Sequence, residues 1–275
     1  MTKTAREVPL NLSPFRGRIH PSYDQPLFLQ AISDCHRLLE LPEAKIVIEG
    51  RNKVGVVSLP LQSGIQKNIF IKEYHLIGIN KFKSRFLPSK AQKAWRGAMI
   101  LVERGIATPS PVAYLEGRRR GFVDQSFFLT DELEGVEEVR RLFREVPEPE
   151  LRGFLQALAV FLKTCHQKGI LHRDLSDGNI LTKKDRDGQV EFYLIDTNRI
   201  RLKKKIGLLR GIKNLIRLGI PPNLRAFFLE EYLQDRNSWR FGFFWYKINK
   251  GVFTRYIGLK KMLRLRKLAR KLKIQ

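Results

Sequence analysis

The sequence predicts an α+β chain in two lobes, a small β-rich N-terminal lobe and a mostly helical C-terminal lobe. Three observations predict it. Between residues 45 and 74, short apolar runs broken by Gly, Asn and Lys carry the signature of strands. From Leu151 to Cys165, apolar residues recur at the spacing of one helix face. After that helix, a polar loop at 172–179 runs into two short apolar stretches, the second closed by Asp196. The division expected is 1–43 as an arm with a short helix, 44–131 as the N-terminal lobe and 132–275 as the C-terminal lobe.

Composition sets the bounds. A hydrophobic content of 43% is enough for a packed core, which argues against disorder as the default state. The net charge of +25 and the pI near 10.4 call for an anionic partner, whether nucleotide, phosphorylated lipid, membrane surface or nucleic acid. Two cysteines, Cys35 and Cys165, make neither a disulfide framework nor a C-x-x-C metal pattern, and reduced thiols fit a cytoplasmic location. The first residues lack the apolar core of a signal peptide, and no apolar run is long enough to span a bilayer.

In chain order, residues 1 to about 25 read as an irregular arm, and Leu27 to Leu39 as one short helix. Ser33, Asp34 and His36 read there as surface groups. Lys45–Glu49 and Val54–Leu59 flank Gly50-Arg51-Asn52-Lys53 as a hairpin. That hairpin lacks G-x-G-x-x-G, so a phosphate cover that uses Arg51 and Lys53 and a plain hairpin both stay open. Asn68–Tyr74 is the next strand, and Lys72 stands late in it. It reads either as a cation for nucleotide phosphates or as an ordinary surface lysine. Residues 81–88 form a basic loop. Ser89 can cap a helix that runs to Glu103 with Ala91, Ala94, Trp95, Ala98 and Met99 on one face. This helix carries Gln92 but no acid before its last turn. Glu73 faces away from Lys72 because neighbouring strand residues alternate.

The prolines at 109 and 111 lead into a strand, three arginines make a turn at 117–121, and Phe127–Thr130 is a strand closed by acids and Gly135. A strand so terminated suits a hinge. Pro147-Glu148-Pro149-Glu150 opens the long helix, since Pro and acids suit a first turn. On it Cys165 reads as core and His166 as surface. Residues 183–188 read as a polar turn between the two strands after the loop. From Arg201 onward there are 21 Lys and Arg against three acids, interleaved with aromatics. Residues 256–274 read as a basic amphipathic helix, either laid on an anionic lipid surface or packed on the lobe.

The chemistry concentrates in His172-Arg173-Asp174-Leu175-Ser176-Asp177-Gly178-Asn179, which is H-R-D, four residues, then Asn. This is the catalytic-loop pattern of kinases. Asp174 is the expected catalytic residue, taking the proton of the accepting hydroxyl. Asn179 and Asp196 are the expected metal ligands, and Lys72 the expected nucleotide-binding residue. His172 and Arg173 are expected to support the loop, and Asp177 reads first as a solvated acid and second as a group that tunes the site. Thr197-Asn198 follows Asp196 where regulated protein kinases carry Phe-Gly, which points to a constitutive enzyme with a small substrate.

Over about residues 44–200 the chain resembles the protein-kinase-like superfamily, and within it the lipopolysaccharide core kinase (Kdo/WaaP) family. The closer likeness lies in three stretches: Ser89–Arg96 with Arg104–Pro111, whose Gly-Ile-x-Thr-Pro-x-Pro segment is similar to that family's; the catalytic loop with Asn179-Ile180-Leu181; and Leu194–Arg199. The resemblance implies a two-lobed protein-kinase-like fold, ATP and Mg²⁺ as cofactors, and transfer of the γ-phosphoryl to a Kdo or heptose hydroxyl of the lipopolysaccharide inner core. It implies a phosphorylated glycolipid partner and a position on the inner face of the inner membrane. A kinase for another small molecule or a protein, a pseudokinase or anion-binding scaffold, and a nucleic-acid binder suggested by the charge and aromatics are the alternatives. No nucleic-acid motif is present.

Overall fold

The computed structural model describes residues 7–50, 52–76, 78–184 and 188–263. Among the described residues two compact units divide the chain, one of residues up to 103 and 109–133, the other of 104–108 and 134–263.

The first unit is built on a seven-stranded antiparallel sheet. Its chain runs β1 (Val8–Leu12), β2 (Phe15–Ile19), α1 (Pro26–Ser33), β3 (Lys45–Ile48), β4 (Asn52–Gln62), β5 (Ile65–His75), α2 (Ile79–Lys83), α3 (Lys90–Glu103), β6 (Pro111–Arg119) and β7 (Phe122–Asp131). The strand order is β1-β2-β6-β7-β5-β4-β3. Residues 8–19 are therefore not an irregular arm. They form a hairpin that adds two strands to the sheet edge, with Ile19 opposite Ala113. Gly17 permits this docking, because a Cβ there would stand 1.7 Å from the Tyr114 carbonyl oxygen. The expected single helix over 27–39 is instead α1 followed by a separate 3₁₀ turn, Leu38–Glu40. The basic loop expected at 81–88 overlaps the end of the short α2, which closes at Lys83.

Strand alternation sorts the two sheet faces. One face buries Phe15, Ile19, Ile69, Ile71, Phe127 and Leu129 beneath α1, where Phe28 and Ile32 are fully buried. The other packs Tyr74, Tyr114 and Phe128 against Ala91, Ala94, Trp95 and Ala98 of α3. The Ser89 hydroxyl accepts from the Gln92 amide at 3.0 Å, the expected cap.

The second unit runs β8 (Glu137–Glu138), α4 (Val139–Glu145), α5 (Glu148–Gln167), β9 (Ile170–His172), β10 (Ile180–Lys184), β11 (Val190–Leu194), β12 (Ile200–Leu202), α6 (Leu208–Leu215), α7 (Arg225–Leu233) and α8 (Arg236–Met262). The helix α4 has no counterpart in the sequence reading. Gly169, at φ +76, ends α5 and turns the chain into β9. A Cβ there would meet the Lys203 carbonyl oxygen at 2.2 Å. Phe154 and Phe161 of α5 each hold a ring 5.3 Å from that of Phe192 in β11. This packing fixes the strand that leads to Asp196. Of the expected basic helix over 256–274, residues up to Met262 belong to α8, and 264–274 lie outside the described residues. Arg51, and residues 185–187 of the expected turn at 183–188, also lie outside them.

Candidate active site

The loop after β9 and the end of β11 are stitched together by backbone and imidazole. His172 accepts the Asp174 amide at Nδ1, 3.2 Å, and its Nε2 donates to the Ile195 carbonyl at 3.0 Å. The Ile195 amide in turn donates to the Asn179 carbonyl at 3.1 Å. β9 pairs with β12, setting His172 opposite Ile200, and β10 pairs with β11, setting Ile180 opposite Leu194. Asp174, Asn179 and Asp196 are thus each within one residue of a tie between loop and strand. His172 is buried, which lowers its proton affinity and keeps the ring neutral, the form that can both accept and donate here. It supports the loop, as the sequence suggested.

Asn179 donates its side-chain Nδ2 to the Asp174 carbonyl at 2.7 Å. That bond fixes the amide orientation and leaves Oδ1 as the atom for a cation. Asp196 is left-handed, φ 55 and ψ 46, at the entry to the 3₁₀ turn Thr197–Arg199. A non-glycine residue held there is strained locally, a state common at functional positions. Its Oδ1 accepts a long contact from Asn198 Nδ2 at 3.4 Å. One carboxylate and one amide oxygen are a sparse donor set. Among the described residues no cluster of three His, Cys, Asp or Glu side chains is placed to hold a metal. This donor chemistry fits Mg²⁺, which keeps several waters and takes further oxygens from substrate phosphates.

Three residues join the site that sequence reasoning missed. Arg217 Nη1 stands 2.6 Å from Asp174 Oδ1. Arg217 lies over the Phe253 ring at 5.6 Å, and the carbonyls on either side of it, Ile216 and Leu218, both accept from Lys250 Nζ, at 2.6 and 2.9 Å. Thr108 is the second. Its hydroxyl donates to the Leu194 carbonyl at 2.8 Å, and the Leu194 amide donates to the Ala107 carbonyl at 3.0 Å. The Thr-Pro segment therefore holds the strand end just before Asp196. The third is His166, which is buried and not on the surface as expected. Its Nε2 faces Asn214 Oδ1 at 3.0 Å and its Nδ1 faces the Tyr232 hydroxyl at 2.7 Å. Asn214 Nδ2 donates to the His172 carbonyl at 2.8 Å, linking α5 and α6 to the loop. Asp177 also departs from expectation. It is not a solvated acid but pairs with Arg140 at 3.6 Å and packs against Gly219, where a Cβ would meet its Oδ2 at 2.6 Å.

Lys72 lies in the first unit, on β5 between Val54 and Phe128, with its ammonium 5.4 Å from the centre of the Tyr74 ring. It shares the sheet face that packs on α3. Gln92 of α3 donates to the Tyr114 hydroxyl at 3.3 Å. Glu73 faces the other way, as alternation requires, 3.7 Å from His75 Nε2, and its burial raises its proton affinity.

Known proteins point the same way as this geometry. The profile of the lipopolysaccharide kinase (Kdo/WaaP) family matches residues 70–243. A lipopolysaccharide core heptose(I) kinase, WaaP of Pseudomonas aeruginosa PAO1, is 27% identical over 150 residues, 50% of this chain and 56% of that enzyme. The serine/threonine-protein kinase zyg-8 of Caenorhabditis elegans is 33% identical over 95 residues, 33% of this chain and 12% of that protein. The chain thus spans about half or less of the curated relatives it matches. A solved WaaP in complex with acyl carrier protein shares the fold, with TM-score 0.58 and 20% identity over 82% of this chain and 96% of that one. With the profile covering well over half of its length, including the loop, both strands after it and Asp196, the chain belongs to the lipopolysaccharide kinase (Kdo/WaaP) family.

Proposed function

We propose that the chain transfers the γ-phosphoryl group of ATP to a sugar hydroxyl, of Kdo or heptose, in the lipopolysaccharide inner core. The observation that carries this reading is the His172-centred tie, which keeps Asp174, Asn179 and Asp196 on one rigid loop-and-strand unit. Phosphoryl transfer of this kind rests on positioning and charge stabilisation more than on covalent chemistry by the protein.

In this reading Asp174 orients the acceptor hydroxyl and takes its proton. Arg217 holds the Asp174 carboxylate in place and adds positive charge beside the reacting oxygens. Asn179 Oδ1 and Asp196 would hold Mg²⁺, which supplies neutralisation of phosphate charge. Lys72 neutralises further phosphate charge from the nucleotide side. Thr108 and His172 keep the strand and the loop in register and touch no substrate.

The acceptor would be a phosphorylated glycolipid, met by the chain as a peripheral protein on the inner face of the inner membrane. No helix of the described residues is long and apolar enough to cross a membrane. What supports surface attachment is α8. Phe241, Phe244, Ile248, Val252, Tyr256 and Leu259 are exposed at helical spacing, and Lys247, Arg255 and Lys261 stand among them. An apolar stripe flanked by cations suits the interface of an anionic bilayer.

The test is mass spectrometry of lipopolysaccharide from a strain lacking the gene, paired with transfer of radiolabel from γ-labelled ATP to purified core glycolipid. Loss of one core phosphate, restored by the wild-type gene and not by Asp174→Asn, is the expected result. An unchanged core removes the proposed acceptor.

A further inference from the structure

A cavity of about 420 Å³ lies between the start of α7 and the middle of α8. Four cations line it, Arg225, Lys247, Lys250 and Arg255, and no acid does. Their partners are neutral. Arg225 Nε donates to the Ile220 carbonyl at 3.1 Å, Lys250 Nζ to the two carbonyls beside Arg217, and Lys247 lies 4.4 Å over the Phe243 ring. Among the described residues none of the four forms an ion pair. Tyr246 adds a second, independent sign. Its side chain lines the cavity at 1% exposure, and its hydroxyl is buried with no hydrogen-bond partner among the described residues.

We propose that this cavity binds a phosphomonoester, with the phosphate among the four cations and the Tyr246 hydroxyl, and its apolar or sugar body against Phe243. Charge decides the ligand class. Four cations gathered in a lining that holds no acid repel one another, and an anion of nearly two charges, as a phosphomonoester is at neutral pH, relieves most of that. The unoccupied guanidinium nitrogens of Arg225 suit the planar spread of phosphate oxygens. The buried phenol gains the acceptor that it lacks, and an unmatched buried hydroxyl is a cost that natural folds rarely leave standing. The Lys250 ammonium fits this picture, since burial and then Arg225 push it down to about 8 and Asp177 offsets them only in part. The inference goes beyond phosphoryl transfer, although the Lys250 contacts on either side of Arg217 join the cavity to the segment that holds Asp174.

The experiment is calorimetric titration of the full chain, without nucleotide, with three probes: inorganic phosphate, glucose 6-phosphate, and dihexanoyl phosphatidic acid below its micellar concentration. Saturable one-to-one binding is expected. Lys247→Gln with Arg255→Gln should weaken it tenfold or more, while the charge-matched pair Arg240→Gln with Lys260→Gln, on the same helix but outside the cavity, should stay within twofold. Tyr246→Phe should weaken it several-fold with no change in net charge. Tightest binding of the lipid identifies a headgroup ligand, tightest binding of the sugar ester a soluble or glycan phosphate, and equal binding of all three a site that reads the phosphate alone. Failure of every probe to bind, or equal losses in the two double variants, overturns the proposal.

Discussion

Arg217 Nη1 lies 2.6 Å from Asp174 Oδ1, in a pair whose side chains are 40% and 29% exposed. A half-exposed ion pair contributes only about 0–1 kcal/mol to stability. Its value must therefore lie in orientation. Arg217→Ala should leave the melting temperature nearly unchanged and lower kcat roughly 100–1,000-fold, the range for a lost charge-stabilising donor. Arg217→Lys should recover part of the loss, because the charge returns without the planar fork. Initial rates and thermal unfolding of the two variants check this. A large fall in stability with kcat intact would make Arg217 a structural residue only.

The backbone at Asp196 separates folding from catalysis. Its φ of 55 is costly for most residues, yet Asn and Asp accept the left-handed region best after Gly. Asp196→Asn should then fold like the wild type while phosphoryl transfer falls about 100-fold or more, since the carboxylate charge is lost. Asp196→Val should fail on both counts, because a β-branched side chain is strained there. Circular dichroism, thermal melts and steady-state kinetics separate the two outcomes.

Thr108 acts at a distance through the Leu194 carbonyl. Thr108→Val keeps the shape and removes the donor, leaving a buried carbonyl one hydrogen bond short. The expected cost is about 1–2 kcal/mol in urea unfolding. Because the loosened residue is two before Asp196, kcat should fall while KM for the acceptor changes little. Thr108→Ser should restore both.

How much of this was legible in sequence depends on the range of each interaction. The loop, the strands after it and the helices 90–103 and 148–167 were readable because spacing alone carries them: a fixed H-R-D-x-x-x-x-N interval and apolar residues every three or four positions. The hairpin at 8–19 was hidden by Pro9 and Pro14 and by strands of five residues each, whose partner β6 lies nearly a hundred residues on. Arg217 sits in no motif, and its role comes from a turn after α6 that two carbonyls and a lysine hold in place. Asp177 looked solvated because Arg140 and Gly219, which enclose it, are distant in sequence. Lys72 illustrates the opposite limit. Its strand position was readable, and its nucleotide role rests on the resemblance.

His166 gives the last prediction, since burial decided what its sequence position could not. Burial lowers the proton affinity of both His166 and His172 below the ordinary value of 6.5. The unfolded chain therefore takes up protons first as pH falls. Stability from the two neutral rings is complete above about pH 6.5 and is lost as the pH falls below it toward the depressed folded values. The denaturation midpoint should accordingly drop between pH 7.5 and 5.5. At His166 Nδ1 a proton would oppose donation by the Tyr232 hydroxyl, the contact against which Gly211 also packs, where a Cβ would meet that hydroxyl at 2.3 Å. Asn214→Ala removes the bridge between His166 and the His172 carbonyl and should cost about 2–3 kcal/mol at pH 7.5, the range for groups left unpaired in the interior. His166→Gln should flatten the acid limb of the profile, because the titrating ring is gone. A midpoint that does not move between pH 7.5 and 5.5 in the wild type would show that neither ring is held neutral by burial.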